Sequence, residues 1–253
     1  MSGRNRFRLC LAIALVAASS VLCVAADSPF NHQKPTPSLI VVGFVGGFVR
    51  HDDAHHGPVQ FAERIRSTMP NDTYVQVFEN RHRKTAYRTI LHLLDRDRDG
   101  SLTDQEKGRA RIILFGQSWG ASAVVLLARE LQRVGVPVLL TVQIDSIAKP
   151  WQQDHIIPQN VEAAVNFYQP HGLIHGQPQI TAADPSRTQI LGNYRFDYRQ
   201  APVECKNWIW LERVLTPSHA QSECDPHIWS EVEGLVKERV GTLANALNVI
   251  SRP

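Results

Sequence analysis

Apolar residues recur along this chain in two alternating rhythms. SLIVVGFV (38–45) is an unbroken apolar, largely β-branched run, the pattern of a strand buried on both faces of a parallel sheet. A helix is predicted from about Pro58 to Thr68, then a strand TYVQVF (73–78). The next segment places Tyr87, Ile90, Leu91 and Leu94 at i, i+3, i+4 and i+7, one face of a helix. Strand RIILF (111–115), helix 120–134 closed by Gly135, and strand PVLLTVQI (137–144) follow. AAVNFYQ (163–169) reads as a further strand and TQILGNY (188–194) as a weaker one. Asp225-Pro226 then starts a last helix, with an N-cap acid and proline in the first turn, running to about Leu247. Strands alternating with helices predict an α/β fold, a doubly wound and mostly parallel sheet with helices on both faces. Residues 39–250 form its single domain, and HQKPTPS (32–38) lies in a lead-in over 27–38.

The N-terminus departs from this rhythm. Arg4, Arg6 and Arg8 precede an apolar run from Leu9 to about Ala18 and small residues ending at Ala26. That order fits a secretory signal over residues 1–26, so the expected location is periplasmic or secreted, with no stable membrane insertion after cleavage. The segment also accounts for the net charge of +3. It holds three of the 27 Lys and Arg residues and none of the 24 Asp and Glu, so the remainder is balanced. With no basic stripe, no nucleic-acid partner is expected. Beyond residue 26 only Cys205 and Cys224 remain, and an even pair in an exported protein predicts a disulfide.

Candidate chemistry concentrates between residues 95 and 120. GQSWG (116–120) fits Gly-x-Ser-x-Gly and falls between a buried strand and a helix of small and apolar residues. A sharp turn in that setting lifts a serine above the end of a sheet. Here the chain resembles the α/β-hydrolase superfamily, in its esterase, lipase and thioesterase branches, over about residues 39–250. The resemblance implies Ser118 as nucleophile, and an acid and a histidine in that order after it. Asp145, at the end of the strand following the serine helix, is the candidate acid, with Asp184 in reserve. His219, expected in an irregular loop before the last helix, is the candidate base, with His227 as the alternative. The oxyanion donors expected from the resemblance are the backbone N–H of Trp119 and that of Phe44, or of Val45. The chain has little room for a large cap, so a minimal lid or none is expected.

DRDRDGSLTDQE (95–106) resembles the EF-hand loop position for position. Asp95, Asp97 and Asp99 stand at 1, 3 and 5, Gly100 at 6, the Ser101 carbonyl at 7, Thr103 at 9 and Glu106 at 12. Four carboxylates in twelve residues repel one another unless a hard cation gathers them, so a structural Ca²⁺ is the expected cofactor. The exit is short, with only a few residues before the next strand, and there is no second copy for a sensor pair. His51, Asp52, Asp53, His55 and His56 lack zinc spacing and read as polar groups near the cleft. His171 and His175 read as loop residues.

Together these features predict an exported serine hydrolase acting on small-molecule or lipid carboxylic esters or thioesters. A calcium-binding protein without activity, or an amidase or deacetylase on the same residues, is the alternative.

Overall fold

A computed structural model describes residues 37–205 and 216–250, with side chains to residue 242. The expected signal segment (1–26) and nearly all of the lead-in lie outside the described residues. Among the described residues no helix is long and apolar enough to cross a membrane.

The core is a six-stranded parallel sheet in the order β2-β1-β3-β4-β6-β8. Its strands are β1 (Leu39–Val45), β2 (Thr73–Glu79), β3 (Ile112–Gln117), β4 (Val138–Ile144), β6 (Val161–Tyr168) and β8 (Gln189–Arg195). Short β5 (Ile156–Ile157) and β7 (Thr181–Ala182) pair separately. The helices are α1 (Gly57–Thr68), α2 (Arg83–Leu94), α3 (Asp104–Gly108), α4 (Trp119–Arg133), α5 (Pro217–Cys224) and α6 (Pro226–Ile250).

The apolar runs are continuous because both sheet faces are covered. Ile40, Val42 and Phe44 of β1 face α2 and α4, packing with Ile90, Val124 and Leu127. Their neighbours Leu39, Val41 and Val45 face the other way, toward Phe61 and Ile65 of α1 and Trp229 and Val232 of α6. Burying each such side chain contributes roughly 1.5–3 kcal/mol, and a charge anywhere on these central strands has no solvent-facing side to escape to. β8, one of the two edge strands, is half-exposed to exposed along its length, which is why its apolar pattern is the weakest of the six.

Two elements depart from expectation. Residues 217–224 form a helix, not an irregular loop. PSHAQSEC has no apolar stripe because Ser218, Ser222 and Glu223 are buried there beside the small Ala220, so hydrophobic periodicity could not reveal it. The chain after the acidic loop also turns through a one-turn helix, α3, before β3.

Candidate active site

All strands of the sheet run in parallel, so the chain leaves each one at a common edge, and the candidate residues follow from what stands there. At the end of β3 the backbone of Ser118 takes φ 57° and ψ −126°, a conformation that costs a non-glycine residue about 1–3 kcal/mol. The surrounding glycines make the turn possible. A Cβ on Gly116 would lie 2.5 Å from the carbonyl of Gly120, and one on Gly120 would lie 2.3 Å from the Phe44 oxygen. The Ser118 N–H donates to Ile144 O (2.9 Å), carrying the ladder one residue past the strand. The side chain thus stands clear of the sheet at the head of α4.

Asp145 leaves β4 at the same edge, with φ 45° and no exposed surface. Its Oδ1 accepts the N–H groups of Gly176 (2.7 Å) and Gln169 (3.2 Å). Its Oδ2 accepts from Gln169 Nε2 (3.0 Å) and faces His219 Nδ1 at 2.6 Å. His219, on α5, places Nε2 2.9 Å from Ser118 Oγ. A carboxylate only accepts, so the Nδ1 proton points at Asp145 and Nε2 is the acceptor for the serine hydroxyl. Gln117 Nε2, 3.3 Å from the same ring nitrogen, donates to it and favours the same tautomer. Ser118 can therefore pass its proton to an imidazole whose other face is already neutralised. The two alternatives stand elsewhere. Asp184 caps a turn through Ser186, and His227 is exposed on the first turn of α6.

Phe44 and Val45 do not reach this site. Both are ladder residues of β1, Phe44 matched with Phe78 and Gly116 and Val45 with Glu79. A central strand directs its N–H groups at its neighbours, so the Phe44 amide is spent within the sheet. β1 ends at Val45, where the apolar run 38–45 predicts, so Phe44 and Val45 lie inside the strand and Gly46 is the residue brought level with Ser118. A Cβ there would stand 2.8 Å from the Ser118 Cβ. Asn80 braces this turn, its Nδ2 donating to Gly47 O (2.6 Å) and Val45 O (3.3 Å). Lys149 Nζ holds the Asn80 oxygen (3.0 Å) and lies 4.7 Å from the Trp119 ring centre. Trp119, as the first residue of α4, has an N–H with no intrahelical acceptor.

Ser118 and His219 open into a cavity of about 790 Å³. One wall is apolar, with Phe48, Trp119, Ile147, Leu173 and Ile174; the other carries Asp53, His56 and Glu223. Among these, His56 Nδ1 meets Glu223 Oε1 at 2.7 Å, tying the start of α1 to the end of α5. His175 also lines the cavity, whereas His171 pairs with Asp197 (3.0 Å). Sequence reasoning missed Gln169, Gly176 and Glu223, whose side chains or main chain turn inward from loops and a helix without periodic signal. A disulfide joins Cys205 to Cys224, the last residue of α5.

The acidic loop connects α2 to α3. Arg98 (φ 59°) and Gly100 (φ 86°) bend it inward, and the N–H groups of Gly100 and Ser101 donate to Asp95 Oδ2 (3.0 Å) and Asp99 Oδ1 (2.7 Å). One oxygen each of Asp95, Asp97 and Asp99 lie within 4.8 Å of one another. Asp95 Oδ1 is buried with no hydrogen-bond partner, an orphaned acceptor facing its own kind. Three converging hard oxygens and an orphan fit a calcium ion. Glu106 is engaged differently from the three aspartates. Its Oε1 accepts the Arg96 N–H (2.7 Å), and its Oε2 closes a capping box with Thr103. The Arg96 N–H first, and then the Thr103 donors, hold its carboxyl below the ordinary glutamate range. Among the described residues, His51, Asp52, Asp53, His55 and His56 form no group that could hold a metal.

No family model matches the chain, and no curated protein does. A solved structure, RedJ with a PEG molecule bound in its active site, is similar at 10% identity with a TM-score of 0.38. The match covers 73% of this chain and 89% of that one.

Proposed function

We propose that the protein is an exported serine hydrolase that cleaves carboxylic esters or thioesters, with a calcium ion held in the loop 95–106. The observation that carries this reading is the unbroken chain from Ser118 Oγ through His219 to buried Asp145, at 2.9 and 2.6 Å, opening on a cavity.

In the proposed reaction His219 Nε2 takes the Ser118 proton as Oγ attacks the substrate carbonyl carbon. The carbonyl oxygen gathers negative charge and is met by the N–H of Trp119 and by the Gly46–Gly47 main chain. Collapse expels the alcohol or thiol, which takes the proton from His219 and leaves an acyl ester on Ser118. Water, giving its proton to the same ring, then releases the acid and restores the serine. Asp145 neutralises the imidazolium in both halves. The apolar wall supports an apolar acyl or aryl group. The disulfide is compatible with export.

Asp95, Asp97 and Asp99, with the Ser101 carbonyl, would hold the calcium ion, while Glu106 secures the loop main chain around them. The ion supplies positive charge that offsets the mutual repulsion of the carboxylates and stiffens the connection into β3.

A fluorophosphonate probe tests the enzyme reading without knowledge of the substrate. Wild type should label and Ser118→Ala should not; a folded wild type that stays unlabelled would overturn it.

A further inference from the structure

Gln169 is a buried residue that the reaction scheme leaves unused. It directly follows β6, has no exposed surface, and spends every polar atom of its side chain. Nε2 donates both to Asp145 Oδ2 (3.0 Å) and to Ile174 O (3.0 Å), while Oε1 accepts from His171 N–H (2.8 Å). Its own N–H adds a bond to Asp145 Oδ1 (3.2 Å). The chain then loops outward through Leu173, Ile174 and His175, which line the cavity, and returns to place Gly176 N–H on the same Oδ1 (2.7 Å). That return is close. A Cβ on Gly176 would lie 2.3 Å from Asp145 Oδ1, so the loop is seated on the carboxylate.

An amide needed only to fill space would satisfy itself within its own loop. This one divides its donors between the acid that orients His219 and the carbonyl of a residue in the cavity wall. We infer that Gln169 is a positioning residue, holding Asp145 Oδ2 against His219 and tying that carboxylate to the 170–176 loop that walls the substrate cavity. The inference rests on the hydrolase reading above.

Donors on a carboxylate take up part of its negative charge. With the Gln169 donor removed, more of that charge is left for the imidazolium, so His219 holds its proton to higher pH. A base must be neutral to act, and the acid limb of the rate profile therefore moves up. Other titratable groups near this pair are Tyr198, His56, Glu223 and His175. Tyr198 is pushed far up by burial and by Asp225, to which its hydroxyl donates (2.9 Å), and stays neutral throughout. His56 and Glu223 bond each other, and His175 lines the cavity; all three are retained in the variants.

The test is the rate of fluorophosphonate labelling of the full chain against pH, for wild type, Gln169→Met and Gln169→Leu. Both variants should shift the acid limb upward by about half a pH unit or more. Should Gln169→Met fail to fold, the smaller Gln169→Leu, which also removes the donor, decides alone. Slower labelling at every pH with an unmoved limb, or unchanged labelling, overturns the inference and leaves the hydrolase reading standing. Unlabelled wild type removes both.

Discussion

Gly46 and Ser118 approach so closely that a Cβ on the glycine would lie 2.8 Å from the serine Cβ, and equally close to Gln117 Oε1. Real Cβ atoms do not sit at that distance, so any side chain here must push either the β1 exit or the serine turn aside. The displaced atoms would be the reacting ones. Gly46→Ala should fold, because the clash lies at the sheet edge and not in the core. It should label with fluorophosphonate about 10²-fold more slowly, the cost of a displacement near 1 Å at a reacting centre. Labelling at the wild-type rate would show that the turn has slack.

Asp145 accepts N–H groups from two separate loop positions through Oδ1 and faces His219 through Oδ2, so a replacement that keeps the Oδ1 acceptor should affect rate more than fold. Asp145→Asn keeps the shape but offers an amide to His219 Nδ1 and so favours the wrong tautomer. A loss on the order of 10⁴-fold in kcat is expected, with substrate binding little changed. Turnover of a chromogenic ester across pH measures it. A loss under tenfold would assign the acid role elsewhere.

How far the sequence revealed this site depends on which residues signal by pattern. Ser118 and Asp145 sit where apolar strands stop, and β3 and β4 are legible because burial on both faces demands unbroken Ile, Leu and Val. His219 was legible only by chain order. Its helix buries serines and a glutamate instead of an apolar stripe, so it reads as a loop. Phe44 was misplaced because the resemblance assigns the donor by order after the first strand, whereas the apolar run 38–45 already includes Phe44 in that strand, as the register shows. Gln169 is a single polar residue after a strand, and no local pattern separates it from a surface glutamine.

The disulfide joins Cys205 to the last residue of the helix that carries His219, across 19 positions. In the chain-entropy picture a loop of that size stabilises by about 3 kcal/mol. Its location adds a second effect, since loosening α5 moves the base away from Ser118. Cys205→Ser with Cys224→Ser should lower Tm and cut labelling more steeply than folded fraction alone predicts. Circular dichroism beside labelling separates the two, and labelling that tracks the folded fraction would leave the bridge a stability role only.

The acidic loop yields the last prediction. Asp97 accepts a bond from the Asp99 N–H, which favours its ionised form. Desolvation and the charges of Asp99 and Glu106 outweigh it, and the Asp97 carboxyl is raised above its ordinary range. A cation that binds the ionised carboxylates must compete with protons, and the raised carboxyl of Asp97 sharpens that competition. Calcium at a hundred times its Kd should stabilise the protein by about 2.7 kcal/mol at neutral pH. The increment should shrink as pH falls into the carboxylate range. Asp95→Asn, which alters the buried oxygen without a partner, should abolish most of it. Thermal melts with calcium and with chelator, at neutral and acidic pH, measure each effect. The loop lies in the connection between α2 and β3, away from the cavity, so labelling of Ser118 at a temperature where both forms are folded should change far less than Tm. Equal midpoints with calcium and chelator would mean that the three aspartates bear their repulsion without an ion.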